Sequence, residues 1–273
     1  MGRTGLRYDV RYVLLSREIH DGARLANPNG EYASHLTSQL SLALHPWKDI
    51  AFSIILPYTD RTQNTFADDG SGLVHNENHG LGDMTAIGRY ILLNDHKFAD
   101  TRMLSLNAGV KFPTGSTSAR DANGDLLEPD YQLGTGSWNT LLGTSFLLGF
   151  ENFSIASNMT YAITGHGANN HTYGNNLNYD LTGRYRVYPD DAEDFSIFGT
   201  LGITGEARGH EILNGAIDPN SGGDVTYIAP GIQIFFMPGL SFEASYHFAV
   251  INALDGDQLG ERYRIMSGVQ WMF

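Results

Sequence analysis

The chain has 273 residues, a formal charge of −13 and no cysteine. Missing cysteines exclude a disulfide framework, a thiolate metal site and a cysteine nucleophile. An acidic chain without a long basic run is a poor nucleic-acid binder. Hydrophobic residues, at 41%, are too many for disorder, and charged residues, at 17%, fall below the about 25% of an ordinary soluble domain.

No apolar stretch approaches the 18 residues of a membrane helix, and no window carries sustained helical periodicity. A strand-like pattern follows Met1-Gly-Arg-Thr4 at once, so no signal peptide is read. What recurs is period two, in which successive side chains face opposite sides of a strand. Leu6, Tyr8, Val10, Tyr12 and Leu14 oppose Arg7, Asp9 and Arg11. Leu104, Leu106, Ala108 and Val110 oppose Ser105, Asn107 and Lys111. Phe153, Ile155, Met159 and Tyr161 face away from Ser154, Asn158 and Thr160. Leu177, Tyr179, Leu181, Tyr185 and Val187 alternate with Asp180, Arg184 and Arg186. Phe242, Ala244, Tyr246 and Phe248 alternate with Glu243 and His247, and Tyr263, Ile265, Val269 and Trp271 with Arg264.

About twelve such runs are predicted, near 5–17, 32–45, 49–62, 81–93, 102–115, 131–149, 152–165, 176–188, 195–208, 224–236, 239–252 and 262–273. Short connections such as Met237-Pro-Gly239 alternate with long ones near 18–31, 63–80, 116–130, 166–175, 209–223 and 253–261. This pattern predicts an all-β, transmembrane antiparallel β-barrel of one domain, with about 12 strands, short periplasmic turns and long extracellular loops. A soluble sandwich or lipocalin-like barrel shares the alternation. Three features favour the membrane: Tyr and Trp at run ends on the apolar parity, charges of both signs in mid-strand on the other, and a low charged fraction. The expected location is the bacterial outer membrane, as a mature chain. The expected surroundings are outer-membrane lipid and lipopolysaccharide.

If the alternation holds, Arg7, Arg11, Arg89, Lys111, Arg184, Arg186 and Arg264 point into the lumen, joined by Asp9, Asp83, Asp180 and Glu243. One reading is a net-basic path that draws anions. The other is that these groups pair across strands and plug the lumen. Twelve strands lie between barrels filled by side chains and barrels with an aqueous channel, and inward Gly109, Gly202 and Gly268 free some space. His75, His79, His166 and His171 fall in predicted outer loops, where solvated histidine is the ordinary reading. The Asp121–Asp130 acidic cluster reads as a turn, with divalent-ion bridging to the lipid layer as the alternative. No catalytic set, cofactor or metal site is expected.

The chain's last residues, with Tyr263, Trp271 and a final Phe273, look like the C-terminal signal read by the barrel assembly machinery. Ile55-Leu-Pro-Tyr58, Gly80-Leu-Gly-Asp83, Val110-Lys-Phe-Pro-Thr-Gly115 and Leu133-Gly-Thr-Gly-Ser137 follow one another in an order that resembles the transporter family "meta-pathway of phenol degradation". The resemblance implies outer-membrane passage or binding of a small-molecule substrate, often aromatic. A weaker similarity links Tyr8-Asp9, Gln39–Ala43 and Pro46-Trp47 to outer-membrane phospholipase A, but the His-x-Ser of that enzyme is absent. The leading expectation is therefore a channel for passive uptake of anionic or aromatic compounds rather than an enzyme. A closed barrel that binds a partner, ion or lipid is the alternative, and an esterase stands third.

Overall fold

The computed structural model describes residues 4–66, 72–97, 100–121, 124–188 and 195–273. Twelve long strands carry the fold: β1 (Thr4–His20), β2 (Tyr32–Trp47), β3 (Ile50–Phe66), β4 (Thr85–Lys97), β5 (Asp100–Lys111), β6 (Asn139–Gly149), β7 (Phe153–Ile163), β8 (Asn176–Tyr188), β9 (Ser196–Arg208), β10 (Gly223–Met237), β11 (Leu240–Leu254) and β12 (Asp257–Met272). Each pairs antiparallel with the next, and β12 closes on β1 from Gly5↔Met272 to His20↔Asp257. The result is a closed antiparallel barrel of the outer-membrane type, which leaves no open sheet edge around its girth.

The alternation sets the two faces. Leu40, Leu42 and Leu44 on β2 and Phe52, Ile54 and Leu56 on β3 point outward and are 41–49% exposed. A continuous apolar skin of this kind suits hydrocarbon and excludes the soluble alternatives. Trp47, Trp271 and Phe273 ring the short-turn end, each more than half exposed. Both termini lie there, with Thr4 and Phe273 exchanging backbone hydrogen bonds of 2.9 Å. Further up the same face Tyr263 stacks on Tyr246 at 5.2 Å and tilts against Tyr12 at 6.2 Å. Eight to ten residues at about 3.3 Å each, tilted about 40°, separate these two aromatic belts by about 20–25 Å, close to the height of a barrel's apolar band.

Three expectations are corrected. The run expected over 131–149 is a strand only from Asn139. Residues 131–138 are a bent segment unpaired in the wall, with Gly136 at φ +67°, and the Gly134 and Gly136 backbone packs against other loops instead. The loop expected near 63–80 is largely a hairpin: Leu73–Leu81 pairs back along β3, from Phe66↔Leu73 to Tyr58↔Leu81. Consequently β4 starts at Thr85 and meets β3 only over Ile50–Ile55. The loop expected over 253–261 is a two-residue turn at Asp255-Gly256, with Gly256 at φ +62°. That turn carries His20 beside Asp257, Nδ1 to Oδ1 at 2.7 Å. The hydrogen bond and charge of Asp257, with Asp21 adding, raise the His20 pKa above its ordinary 6.5. The protonated pair therefore tightens the β1–β12 tip below pH 6.5, and this support fades as pH rises through the raised value. A chemical-shift titration is expected to place the His20 midpoint above 6.5 and to move it back toward the ordinary value in Asp257→Asn, with Asp21 keeping a smaller upward effect.

Candidate functional site

The inward parity forms a lumen of stacked polar clusters. Near the turn end, Arg7 Nε donates to both carboxylate oxygens of Asp9 at 2.9 and 2.7 Å, and Arg7 also pairs with Glu243. Gly268 is what admits them, since a Cβ there would meet Asp9 Oδ1. Next in the wall, Arg184 Nε donates to Ser154 Oγ and its Nη1 to Gln233 Oε1 at 2.7 Å. Arg89 Nε donates to Asn107 Oδ1 at 3.0 Å, and Asp180 Oδ1 accepts from Asn158 Nδ2 at 3.2 Å. The Arg186 guanidinium lies 5.5 Å from the centre of the Phe198 ring.

Higher up, Arg264 Nε and Nη2 donate to Glu261 at 2.6 Å, while Nη2 reaches Glu206 at 3.1 Å. Its guanidinium covers the Tyr227 ring at 4.4 Å. Glu206 stands on β9 and Arg264 on β12, so this contact spans the interior past β10 and β11. Arg11 lies in the electrostatic neighbourhood of Arg61, Arg264, Glu206 and Glu261. It makes no ion pair within 4.0 Å among the described residues: Glu261 is held by Arg264, and Glu206 by Arg264 and, at 3.7 Å, by Arg208. Its side chain is exposed although it points inward, so it stands in open lumen space.

The outer end is crossed by residues 112–121 and 124–138, which leave and rejoin the wall at the paired Lys111 and Asn139. This segment is a plug. Leu127 and Tyr131 are buried on Ala33 of β2, with Leu15 and Leu259 from β1 and β12 packed against them. Tyr131 sets its ring edge-on to His35 at 6.1 Å, and Arg61 donates through Nη1 to the Asp130 carbonyl. Asn78 donates to the Tyr131 carbonyl at 2.7 Å, and the Tyr173 hydroxyl to that of Pro129 at 2.6 Å. Burial, reinforced by nearby acids, raises the pKa of both the Tyr131 and the Tyr173 phenol, so each stays protonated.

A single carboxylate ties the plug to the wall. Asp83 is 8% exposed. Its Oδ1 accepts the Gly115 N–H at 2.9 Å, and Oδ2 accepts the Thr135 N–H at 2.9 Å and the Thr135 hydroxyl at 2.8 Å. Lys111 Nζ lies 3.4 Å from Oδ2. Thr114 Oγ1 donates to the Gly82 carbonyl at 3.0 Å, and Gly82 N–H donates to the Pro57 carbonyl at 3.0 Å. The backbones of Gly115 and Gly134 touch so closely that a Cβ on Gly134 would sit 2.4 Å from the Gly115 carbonyl oxygen. The four motifs that were separate in the sequence thus form one knot.

Of the inward residues expected from the sequence, Arg7, Asp9 and Glu243 form one cluster and Arg264 centres another. Arg184, Arg89 and Asp180 are held by amides and hydroxyls. Asp83 and Lys111 belong to the knot rather than to the open lumen. Arg61, His35, Glu206, Arg208 and Glu261 were missed. Arg61 sits in the mixed stretch Asp60-Arg-Thr-Gln63, where neither parity is apolar, and Glu261 lay in a presumed loop. His247 Nε2 lies 2.9 Å from Ser245 Oγ and its Nδ1 3.1 Å from Thr204 Oγ1. This Ser-x-His chain has no carboxylate on the imidazole and runs beside the Arg264 guanidinium, so it lacks the orienting acid of a hydrolytic triad. Among the described residues no three metal-ligating side chains converge. The acidic turn at 121–130 falls partly outside the described residues, and there Asp121 Oδ1 accepts the Asp125 N–H at 2.8 Å.

Comparison with known proteins fits this architecture. An outer membrane channel from Pseudomonas putida F1, of the COG4313 group, superimposes with a TM-score of 0.75 at 16% identity, over 100% of this chain and 95% of that one. The CymD monoaromatic hydrocarbon channel aligns over 99% of this chain and 87% of that one at 11% identity, with a TM-score of 0.41 too low to carry an argument. No curated protein matches the sequence. Residues 33–259 match one family model, and that span holds the knot and the plug. The chain therefore belongs to the family described as "Putative MetA-pathway of phenol degradation".

Proposed function

We propose that the protein is a bacterial outer-membrane channel for passive uptake of small molecules, with anions, aromatic acids among them, favoured by the lumen. The carrying observation is the set of inward guanidinium groups without a carboxylate partner. Arg11, Arg89 and Arg184 make no ion pair within 4.0 Å among the described residues, whereas the acids Asp9, Glu243, Glu206 and Glu261 are each engaged by Arg7 or Arg264. Asp180 is held by an amide, that of Asn158, and makes no ion pair within 4.0 Å among the described residues. Unpaired positive charge in a low-dielectric wall draws anions along the path. The plug of residues 112–138 sets access from outside. Membership in the family supports a small aromatic cargo, and the Pseudomonas barrel of like fold is itself a channel.

Planar-bilayer recording of the detergent-purified protein tests this. Steps with anion preference are expected, and Arg89→Glu combined with Arg184→Glu is expected to reverse that preference while the barrel stays folded. Unchanged ion selectivity in the double variant would remove the basic path from the mechanism.

A further inference from the structure

Three donor side chains stand on adjacent strands under the plug. His35 is the direct cross-strand neighbour of Arg61, and Arg11 lies one pair further down, opposite Thr37. None has a carboxylate partner among the described residues. His35 Nε2 and Arg61 Nε are both buried without a hydrogen-bond partner. Buried donors are normally satisfied, and leaving one open costs free energy. What the plug offers them is a phenol ring edge-on to His35 and one carbonyl oxygen, that of Asp130, on Arg61. An aromatic ring with an oxygen acceptor one bond series away has the outline of a small aromatic acid.

We infer that Arg11, His35 and Arg61 form a binding seat for a monoaromatic carboxylate, which Tyr131 and the Asp130 carbonyl occupy as an internal stand-in when the plug is docked. A free carboxylate brings two charged acceptor oxygens where the plug brings one neutral one, so it satisfies the open N–H groups and binds the guanidinium as a fork. Its ring takes the place of Tyr131 on Ala33 and His35. The acids nearest the seat are Asp130 on the plug itself and Glu206 and Glu261, which Arg264 holds; Asp130 leaves with the plug. Binding and undocking are then one event. This inference rests on the uptake reading for its cargo class.

The test is calorimetric titration of the folded, detergent-purified full chain with benzoate and with benzyl alcohol, its neutral counterpart. Saturable benzoate binding is expected, at least about tenfold tighter than benzyl alcohol, since hydrogen bonds to charged groups are the strong ones. Arg61→Gln and Arg11→Gln are each expected to weaken benzoate about tenfold or more. Tyr131→Ala is expected to tighten it, because the competing ring is gone; a merely structural tyrosine would give no gain. Equal affinity for benzoate and benzyl alcohol, or unchanged or weaker benzoate binding in Tyr131→Ala, overturns the proposal. Conductance on the same preparations separates the two readings: a conducting barrel that ignores benzoate defeats the seat alone, and a silent barrel that binds it defeats the channel alone.

Discussion

Replacing Asp83 by alanine is expected to undock the plug and raise single-channel conductance while the barrel stays folded. Three hydrogen bonds and the Lys111 ammonium converge on this one buried carboxylate. Stripping one partner from a buried charged pair costs about 3–5 kcal/mol, and each 1.4 kcal/mol moves the docked-to-undocked ratio about tenfold. The loss falls on attachment of residues 112–138 and not on the strand ladder, whose pairing Asp83 does not share. Gly134→Ala should act the same way, since its Cβ would press the Gly115 backbone away from Asp83. The chain has no cysteine, so a single Leu127→Cys reports the plug's position without background. Its thiol should label slowly in the parent and rapidly with Asp83→Ala. Equal labelling rates and equal conductance would show that the knot does not hold the plug.

Replacing Arg264 by alanine should give the largest loss of stability. It leaves Glu261, 7% exposed, without its ion-pair partner, and Glu206 with only the longer contact to Arg208 Nε at 3.7 Å. The side chains of this cluster are only 10–17% exposed, so solvent screens them little. An uncompensated buried charge costs about 3–5 kcal/mol, whereas a well-packed neutral replacement of the whole cluster is often close to neutral. Urea unfolding of Arg264→Ala is therefore expected to show that loss. The triple variant Arg264→Met, Glu206→Gln and Glu261→Gln is expected to recover most of it. A triple variant no more stable than Arg264→Ala would assign the loss to packing on Tyr227 instead.

Much of the wall was legible because a barrel strand reports its environment residue by residue. The alternation around Arg7, Arg184, Glu243 and Arg264 sets them on the parity opposite the apolar skin, since a lipid face disfavours charge at those depths. Legibility failed where that pressure ends. Above the membrane both parities of Asp60-Arg-Thr-Gln63 are polar, so Arg61 carried no sign of facing the lumen. Around Leu133-Gly-Thr-Gly-Ser137 a period-two pattern does occur, but its bent backbone is spent on Gly115 and Asp83 rather than on a neighbouring strand. The Asp255-Gly256 pair is a hairpin signal in its own right, hidden here by the acidic residues that flank it. The partners of Asp83 lie 28 to 52 positions away along the chain, and no local spacing announces them.

The plug's two ends enter and leave the wall as paired neighbours, Lys111 and Asn139. The excursion is thus a pendant stitched to a finished cylinder, and the cylinder's hydrogen-bond count does not depend on where the pendant hangs. Mutational drift in the pendant can retune what passes without taxing the assembly of the cylinder, so members of one lineage can diverge in cargo while their walls stay alike.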